Sequence, residues 1–318
     1  MIRWGILGCG VIARRMAAVL QKEEEAVLAA VAARDAGRAA AFAAECGAGK
    51  AYGSYAELAA DAAIDAVYVA TIHPTHAAAV ELALRAGKAV LCEKPLTMSS
   101  EEARRLFELA GSCGAPLVEA MWTRFLPAWQ KAKELADAGA IGEIRGMEAE
   151  FCHCTPYDPA SRLYDPAQGG GALWDVGIYV CHAAIHILGR AYTQLLASGR
   201  FAPSGVDSYA ALTLRTPSGA IARLACGSDQ CGGNLARING TRGFLELPNM
   251  FGATELRTHI EAKPDEAFSF PQEDGFAYEV RAFHRQLKEN RLFSPVVPPE
   301  DTVAALQMLE KALSALTL

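Results

Sequence analysis

The sequence has no excess of positive charge. Its 30 Lys and Arg are outnumbered by 36 Asp and Glu, for a formal net charge of −6. Nothing in that balance neutralises a phosphate backbone, so nucleic acid is not an expected partner. No uninterrupted apolar run approaches the roughly 20 residues that cross a bilayer, and no membrane is expected either. The N-terminus lacks a basic leader followed by an apolar stretch and a cleavage site, so no signal peptide is expected. There is no C-x-x-C pair. The nine cysteines are an odd number, scattered through expected strands and helices, which fits reduced thiols in a cytoplasmic protein rather than a disulfide framework. Cys152-His153-Cys154 is the one metal-like cluster, but on a strand His153 would face away from the two cysteines, so no metal is expected.

What is present is the composition of a globular chain with a real core: 318 residues, 52% hydrophobic and 21% charged. That length corresponds to one large domain or two ordinary ones. Over the first 120 residues, short apolar runs ("IRWGIL", "AVLAAVAA", "IDAVYVA", "KAVLCE", "APLVEA") alternate with Ala/Leu/Glu-rich helical segments near 11–21, 36–46, 55–61, 75–86 and 99–113. Such alternation predicts a doubly wound parallel sheet with helices on both faces. After Met121 the texture changes. Helices are predicted near 127–138 and 174–188, with a strand "IRGMEAEFCHC" between them. Hairpins follow in "YAALTLRTPSGAIARLACG" and "LARINGTRGFLEL", the latter punctuated by Asn239-Gly240. Two helices close the chain, near 275–290 and 300–316. The expected division is therefore an α/β domain over 1–120 and an α+β domain with a mostly antiparallel sheet over 121–318.

Gly8-Cys9-Gly10-Val11-Ile12-Ala13 reads G-x-G-x-x-A, directly after a strand and opening a helix. Gly8 allows the sharp turn, Gly10 lets a pyrophosphate approach the backbone, and Ala13 is small where helix meets strand. The helix N-terminus offers free N–H groups to the phosphates. The bland alternative is a plain tight turn; the context favours a dinucleotide site. The second strand ends "VAARDAGR". An NAD enzyme usually has an acidic residue there for the ribose 2′-hydroxyl, but this chain has Ala33 followed by Arg34. A small residue leaves room for a 2′-phosphate and a guanidinium can clamp it, with Arg38 one turn further on. The expected cofactor is NADP, with NAD as the second choice. Asp35 is expected to cap the next helix.

"LCEKPL" closes the strand "KAVLCE", where ligands of such sheets lie. It places Glu93 and Lys94 there, with Lys94 held by the following proline. A second stretch, "GGGALWDVGIYVCHAAIHILG", carries three glycines read as a flexible approach. Asp175 and Tyr179 follow, four apart and so expected on one helix face. His182 and His186 form another such pair, read as packing residues.

These stretches resemble the Gfo/Idh/MocA family. "GILGCGVIA", "EKPLTMSSEEARRL" and "GGGALWDVGIY" carry the likeness, which spans nearly the whole chain. "AYGSYAELAAD", "AGKAVLCEKP" and "VEAMWTRFLPAW" bring it toward the branch of dimeric trans-1,2-dihydrobenzene-1,2-diol dehydrogenases and NADP-dependent D-xylose dehydrogenases. The resemblance implies that Lys94 is the catalytic lysine and that the family's Asp-x-x-x-His pair falls on Asp175 and Tyr179. Tyrosine in place of histidine is what the dihydrodiol branch shows. The family's T-P-N-x-x-H stretch falls on Thr71 to His76, which makes Thr71, His73 and His76 candidates beside the nicotinamide. Its proline and asparagine are replaced. An open second-domain sheet that often forms a dimer interface is also implied.

Free tyrosine titrates near about pH 10, and a nearby cation lowers that value. In this reading Tyr179 is the acid/base, Lys94 tunes it and anchors substrate, and Asp175 orients Lys94 or a substrate hydroxyl. Lys94, His153 and His182 are the alternative proton routes. Trp122, Arg124, Phe125, Phe151 and Tyr157 are candidate pocket walls. The expected substrate is a sugar, polyol or dihydrodiol. The rival expectation is a dinucleotide-sensing regulatory protein without turnover.

Overall fold

The computed structural model describes residues 1–316. The chain forms two compact units, one of Met1–Met121 with Asp274–Thr302, the other of Trp122–Glu273 with the chain from Val303 onward.

In the first unit the strands are β1 (Ile2–Leu7), β2 (Ala26–Ala32), β3 (Lys50–Tyr52), β4 (Ala66–Val69), β5 (Ala89–Glu93) and β6 (Leu117–Ala120). The helices between them are α1 (Val11–Leu20), α2 (Ala36–Cys46), α3 (Tyr55–Ala60), α4 (His76–Arg85) and α5 (Ser100–Cys113). The sheet order is β3-β2-β1-β4-β5-β6, all parallel. The order reverses at β1, so a crevice opens beyond the carboxyl ends of β1 and β4. Strands β4, β5 and β6 are buried at every residue, which explains their unbroken apolar runs. Only β3, three residues long and largely exposed at the sheet edge, carried no sequence signal. Local chemistry sets the helix starts. Asp35 caps α2 by accepting from Arg38 N at 2.6 Å. Ser54 and Glu57 form a capping box on α3.

The second unit contains α6 (Pro127–Asp137), β7 (Ile144–Cys152), a π-helical turn Leu173–Gly177 and α7 (Ile178–Leu188). Seven strands follow: β8 (Gln194–Phe201), β9 (Asp207–Arg215), β10 (Ile221–Gly227), β11 (Ala236–Gly240), β12 (Gly243–Leu247), β13 (Glu255–Ile260) and β14 (Glu266–Ser269). They join β7 in the order β14-β13-β12-β11-β7-β10-β9-β8, antiparallel except where β7 meets β10. One face buries Ala210, Leu212, Leu214, Ala222, Leu224 and Cys226 in strict alternation, and α7 packs on β7 and β10. The helical run Pro166–Leu188 is apolar and long enough to span a membrane by composition alone. In the fold 89% of that window is buried, as in the core helix of a globular unit.

Two expectations need correction. The hairpin β11–β12 turns at Thr241-Arg242, because Asn239 and Gly240 still pair, with Phe244 and Gly243. The segment 274–302, expected in the second domain, belongs to the first unit. Its helix α8 (Gly275–Lys288) packs on α1. Trp4 of β1 donates its indole N–H to His284 Nε2 at 3.0 Å and lies 5.4 Å from the Phe283 ring. The last helix, α9, covers Pro299–Ala315.

Candidate functional site

The glycine turn of the first unit is built as a phosphate cradle. Gly8 has φ of +101°, and a Cβ there would stand 2.5 Å from the Ala70 carbonyl oxygen. No side chain is tolerated at Gly8, for backbone and space alike. Gly10 caps α1 with no side-chain hydrogen bond, and a Cβ there would project into open space. The first N–H groups of α1 have no side-chain cap. Val11 is 77% exposed and Ile12 41%, large apolar side chains at the surface of the turn. Ala13 is buried against the sheet. Burial pushes the Cys9 thiol above its ordinary value, so it is a neutral side chain in this turn. At the end of β4, Thr71 Oγ1 is buried with no hydrogen-bond partner among the described residues. These features fit a dinucleotide pyrophosphate.

Beside this turn, Ala33 is buried and Arg34 exposed. Arg38 reaches back to donate from Nη2 to the Cys9 carbonyl at 3.2 Å. Tyr55 joins them. It is half-buried at the start of α3, and burial raises its phenol against the pull of the Arg34 and Arg38 charges. Nothing in the sequence ties the start of α3, where Tyr55 lies, to the end of β2.

His76 is buried, with Nδ1 2.8 Å from the Pro95 carbonyl and Nε2 3.0 Å from the Thr71 carbonyl. It links the Thr71–His76 stretch to the Lys94–Pro95 corner, and its ring meets that of His73 edge-on at 5.7 Å. Glu93 is buried at the end of β5. It accepts from the Tyr68 hydroxyl and, at 3.3 Å, from Lys94 N. Burial raises its carboxyl against the pull of the Lys94 charge. Glu279 of α8 is also buried, and neither of its oxygens has a hydrogen-bond partner among the described residues. Burial and then the Glu93 charge push it well above the ordinary carboxylate range.

In the second unit two of the three glycines leave no room for a side chain. A Cβ at Gly170 would meet the carbonyl oxygens of Leu163, Arg162 and Asp165, all within 2.9 Å. Gly171 has φ of +114° and abuts Asp207. They feed the π turn, where Gly177 packs so close to the sheet that a Cβ would stand 3.0 Å from Cys226 Sγ. Asp175 lies in the π turn and Tyr179 at the start of the α-helix after it. Asp175 accepts from Arg162 Nη2 at 3.0 Å, a partner the sequence did not point to.

Tyr179 is 4% exposed and ringed by aromatics of its own unit. Its ring centroid lies 5.5 Å from Phe151 and 5.1 Å from Phe251. Of the expected walls, Trp122 and Phe151 belong to this cluster. Arg124 is buried, its Nη1 3.5 Å from His182 Nδ1, and Phe125 is buried on the same short turn. Tyr157 is not part of it: it is 43% exposed and packs on Tyr164, because the chain leaves the sheet after Cys152. Phe251 is the residue the sequence missed. It sits in an irregular stretch whose position only the folded sheet fixes. His186 is packed edge-on against Trp129, and burial pulls its imidazole down to about 2. His153 bonds to Thr155 Oγ1 at 2.9 Å. Among the described residues no group of three His, Cys, Asp or Glu side chains is arranged to hold a metal.

Residues 2–120 match the family model described as an oxidoreductase family with an NAD-binding Rossmann fold, and residues 129–246 match the Gfo/Idh/MocA C-terminal domain. The chain is 36% identical to the trans-1,2-dihydrobenzene-1,2-diol dehydrogenase of Mus musculus over 324 residues, covering 99% of this chain and 97% of that protein. The Homo sapiens enzyme of that name is also 36% identical, with the same coverage. Among solved structures, a 3-ketoreductase from Actinomadura kijaniata in complex with NADP and TDP-benzene superposes with a TM-score of 0.87 at 31% identity, covering 99% of this chain and 98% of that one. Forms of that ketoreductase with a lysine replaced by alanine or glutamate, or a tyrosine by phenylalanine, superpose at 0.84, 0.85 and 0.87.

Proposed function

The chain belongs to the Gfo/Idh/MocA oxidoreductase family, and from that premise we propose that it is an NADP-dependent dehydrogenase acting on a secondary alcohol or hemiacetal carbon of a cyclic diol, sugar or polyol. The observation that carries this reading is the Tyr179 phenol, a titratable hydroxyl held among buried aromatic rings on a helix with a π turn at its start.

NADP, when bound, supplies the hydride chemistry. The chain's own residues do the rest. The backbone of Gly8, Cys9 and Gly10 and the first turn of α1 hold the pyrophosphate. Arg34 and Arg38 hold the 2′-phosphate, which Ala33 leaves room for and an acidic residue would repel. Tyr179 takes the alcohol proton in oxidation and returns it in reduction. Lys94 supplies the cation that anchors the reacting oxygen. Asp175, which accepts from Arg162, orients Lys94 or a substrate hydroxyl. The NADP-bound ketoreductase and the dihydrodiol dehydrogenases among the relatives support the cofactor and the substrate class. The variants made at a lysine and a tyrosine of that ketoreductase are in keeping with the pair.

The same reading includes a homodimer formed through the outer face of the second unit's sheet. Leu196 on β8 and Ile221 on β10 are 57% and 40% exposed there, large apolar side chains on an uncovered sheet.

The experiment is a screen of trans-dihydrodiols, aldoses and polyols with NADP+ and with NAD+, read by the absorbance of the reduced nicotinamide. Turnover of a cyclic diol or aldose with NADP+ is expected. NADP binding with no turnover of any of them would favour the regulatory reading instead.

A further inference from the structure

Trp122 lies on the short turn Trp122–Phe125 that opens the second unit, and it is 4% exposed. Its indole N–H donates to Tyr179 Oη at 3.3 Å. Phe251 holds both partners. Its ring is edge-on to Trp122 at 4.8 Å and 83°, edge-on to Tyr179 at 5.1 Å and 87°, and stacked on Phe151 at 4.3 Å.

The chemistry of this pair is one-sided. An indole N–H donates and cannot accept, so the phenol oxygen is the acceptor whether or not the phenol carries its proton. The phenol's own hydrogen must therefore point elsewhere. When the phenol ionises, the bond from Trp122 becomes charge-assisted and roughly doubles in strength. The interaction thus favours the phenolate over the phenol, and it does so inside an apolar cluster where burial alone would favour the phenol.

We propose that Trp122 is a positioning residue for the reaction, one that fixes the Tyr179 hydroxyl as an acceptor and stabilises its ionised form, with Phe251 as the clamp on both rings. This rests on the acid/base role given to Tyr179 above. Other ionisable groups lie on Tyr179's own helix and on the elements packed against it: Arg124 on the Trp122 turn, Asp175 in the π turn, His182 on α7, His153 after β7, Cys226 on β10 and Lys133 on α6. A substitution at Trp122 changes none of these groups, and the pH profile separates loss of the donor from loss of packing.

The test is Trp122→Phe, which keeps an apolar ring and removes the donor. The acidic limb of the pH profile for alcohol oxidation should move up by about one pH unit. Turnover near neutrality should fall about tenfold and recover toward wild type on the alkaline side, with KM changed much less than kcat. A role in packing alone would lower activity at every pH and leave the limb where it was; that result overturns the proposal. Should Trp122→Phe not fold, the wild-type tyrosinate absorbance titration minus that of Tyr179→Phe gives the Tyr179 value directly. A value at or above the free one of about 10 overturns the proposal. The two readings fail separately. Near-normal turnover in Tyr179→Phe removes the acid/base role itself, whereas an inactive Tyr179→Phe with an unmoved Trp122→Phe limb removes only the role of Trp122.

Discussion

Asp207, the first residue of β9, caps the helical run that carries Tyr179: its Oδ2 accepts from Leu173 N at 2.6 Å. The carboxyl is buried, and burial raises it from 3.8 to about 6 against the downward pull of the backbone N–H groups of Leu173 and Ala172. Because the folded value lies above the unfolded one, this residue's contribution is complete below 3.8 and is lost as pH rises through about 6. The gap of about two pH units corresponds to at most about 3 kcal/mol. Asp207→Asn keeps an oxygen for Leu173 N and removes the titration. Denaturant unfolding from pH 4 to 7 should show a shallower decline in the variant; identical slopes would count against this account.

Glu279 is expected to behave alike over a wider range. Its carboxyl is buried, without a hydrogen-bond partner among the described residues, and raised well above 4.5. The stability it contributes is lost progressively as pH rises above that ordinary value. Glu279→Gln, close in shape to the neutral acid, should resist alkaline unfolding better than wild type. A variant that unfolds at the same pH as wild type would show that Glu279 is already ionised.

Arg34 should distinguish the two cofactors. Arg34→Ala removes charge-assisted bonds of about 1.5–3 kcal/mol, so NADP affinity should fall at least about tenfold while NAD affinity changes little. Calorimetric titration with each cofactor reads this. Equal losses would mean that Arg34 does not meet the 2′-phosphate.

Lys94 and Tyr179 should be separable from cofactor binding. Lys94→Met should abolish turnover with NADP binding largely intact in a fluorescence titration. Tyr179→Phe keeps the ring and its contacts with Phe151 and Phe251, so folding should survive while kcat falls about 10²–10⁴-fold. Should both variants lose NADP binding in parallel, the pair is structural.

The sheet of the second unit should mediate self-association. Sedimentation velocity at micromolar concentration is expected to give a dimer, and Ile221→Glu, which sets a charge on the outer face of β10, should give a monomer with its fold intact. A monomeric wild type would reject the interface.

The sequence by itself determined what is local. The alternation of apolar runs and helical segments fixed the parallel sheet, because strands covered on both faces must be apolar throughout. The glycine turn was legible because Gly8, Gly10 and Ala13 act within a few residues of one another, as was the Asp35 cap on α2. Tertiary structure decided what depends on distant residues meeting. Phe251 reaches Tyr179 only because the hairpins after β10 return beside β7. Trp122 finds the same phenol from 57 positions away. The segment 274–302 rejoined the first unit because Phe283 and His284 meet Trp4, a pairing no periodicity encodes. The glycines at 169–171 read as a flexible approach from composition, yet three carbonyls converging on Gly170 leave no room for any other residue there. A residue type states what a backbone can do, and only its packed neighbours decide what it does.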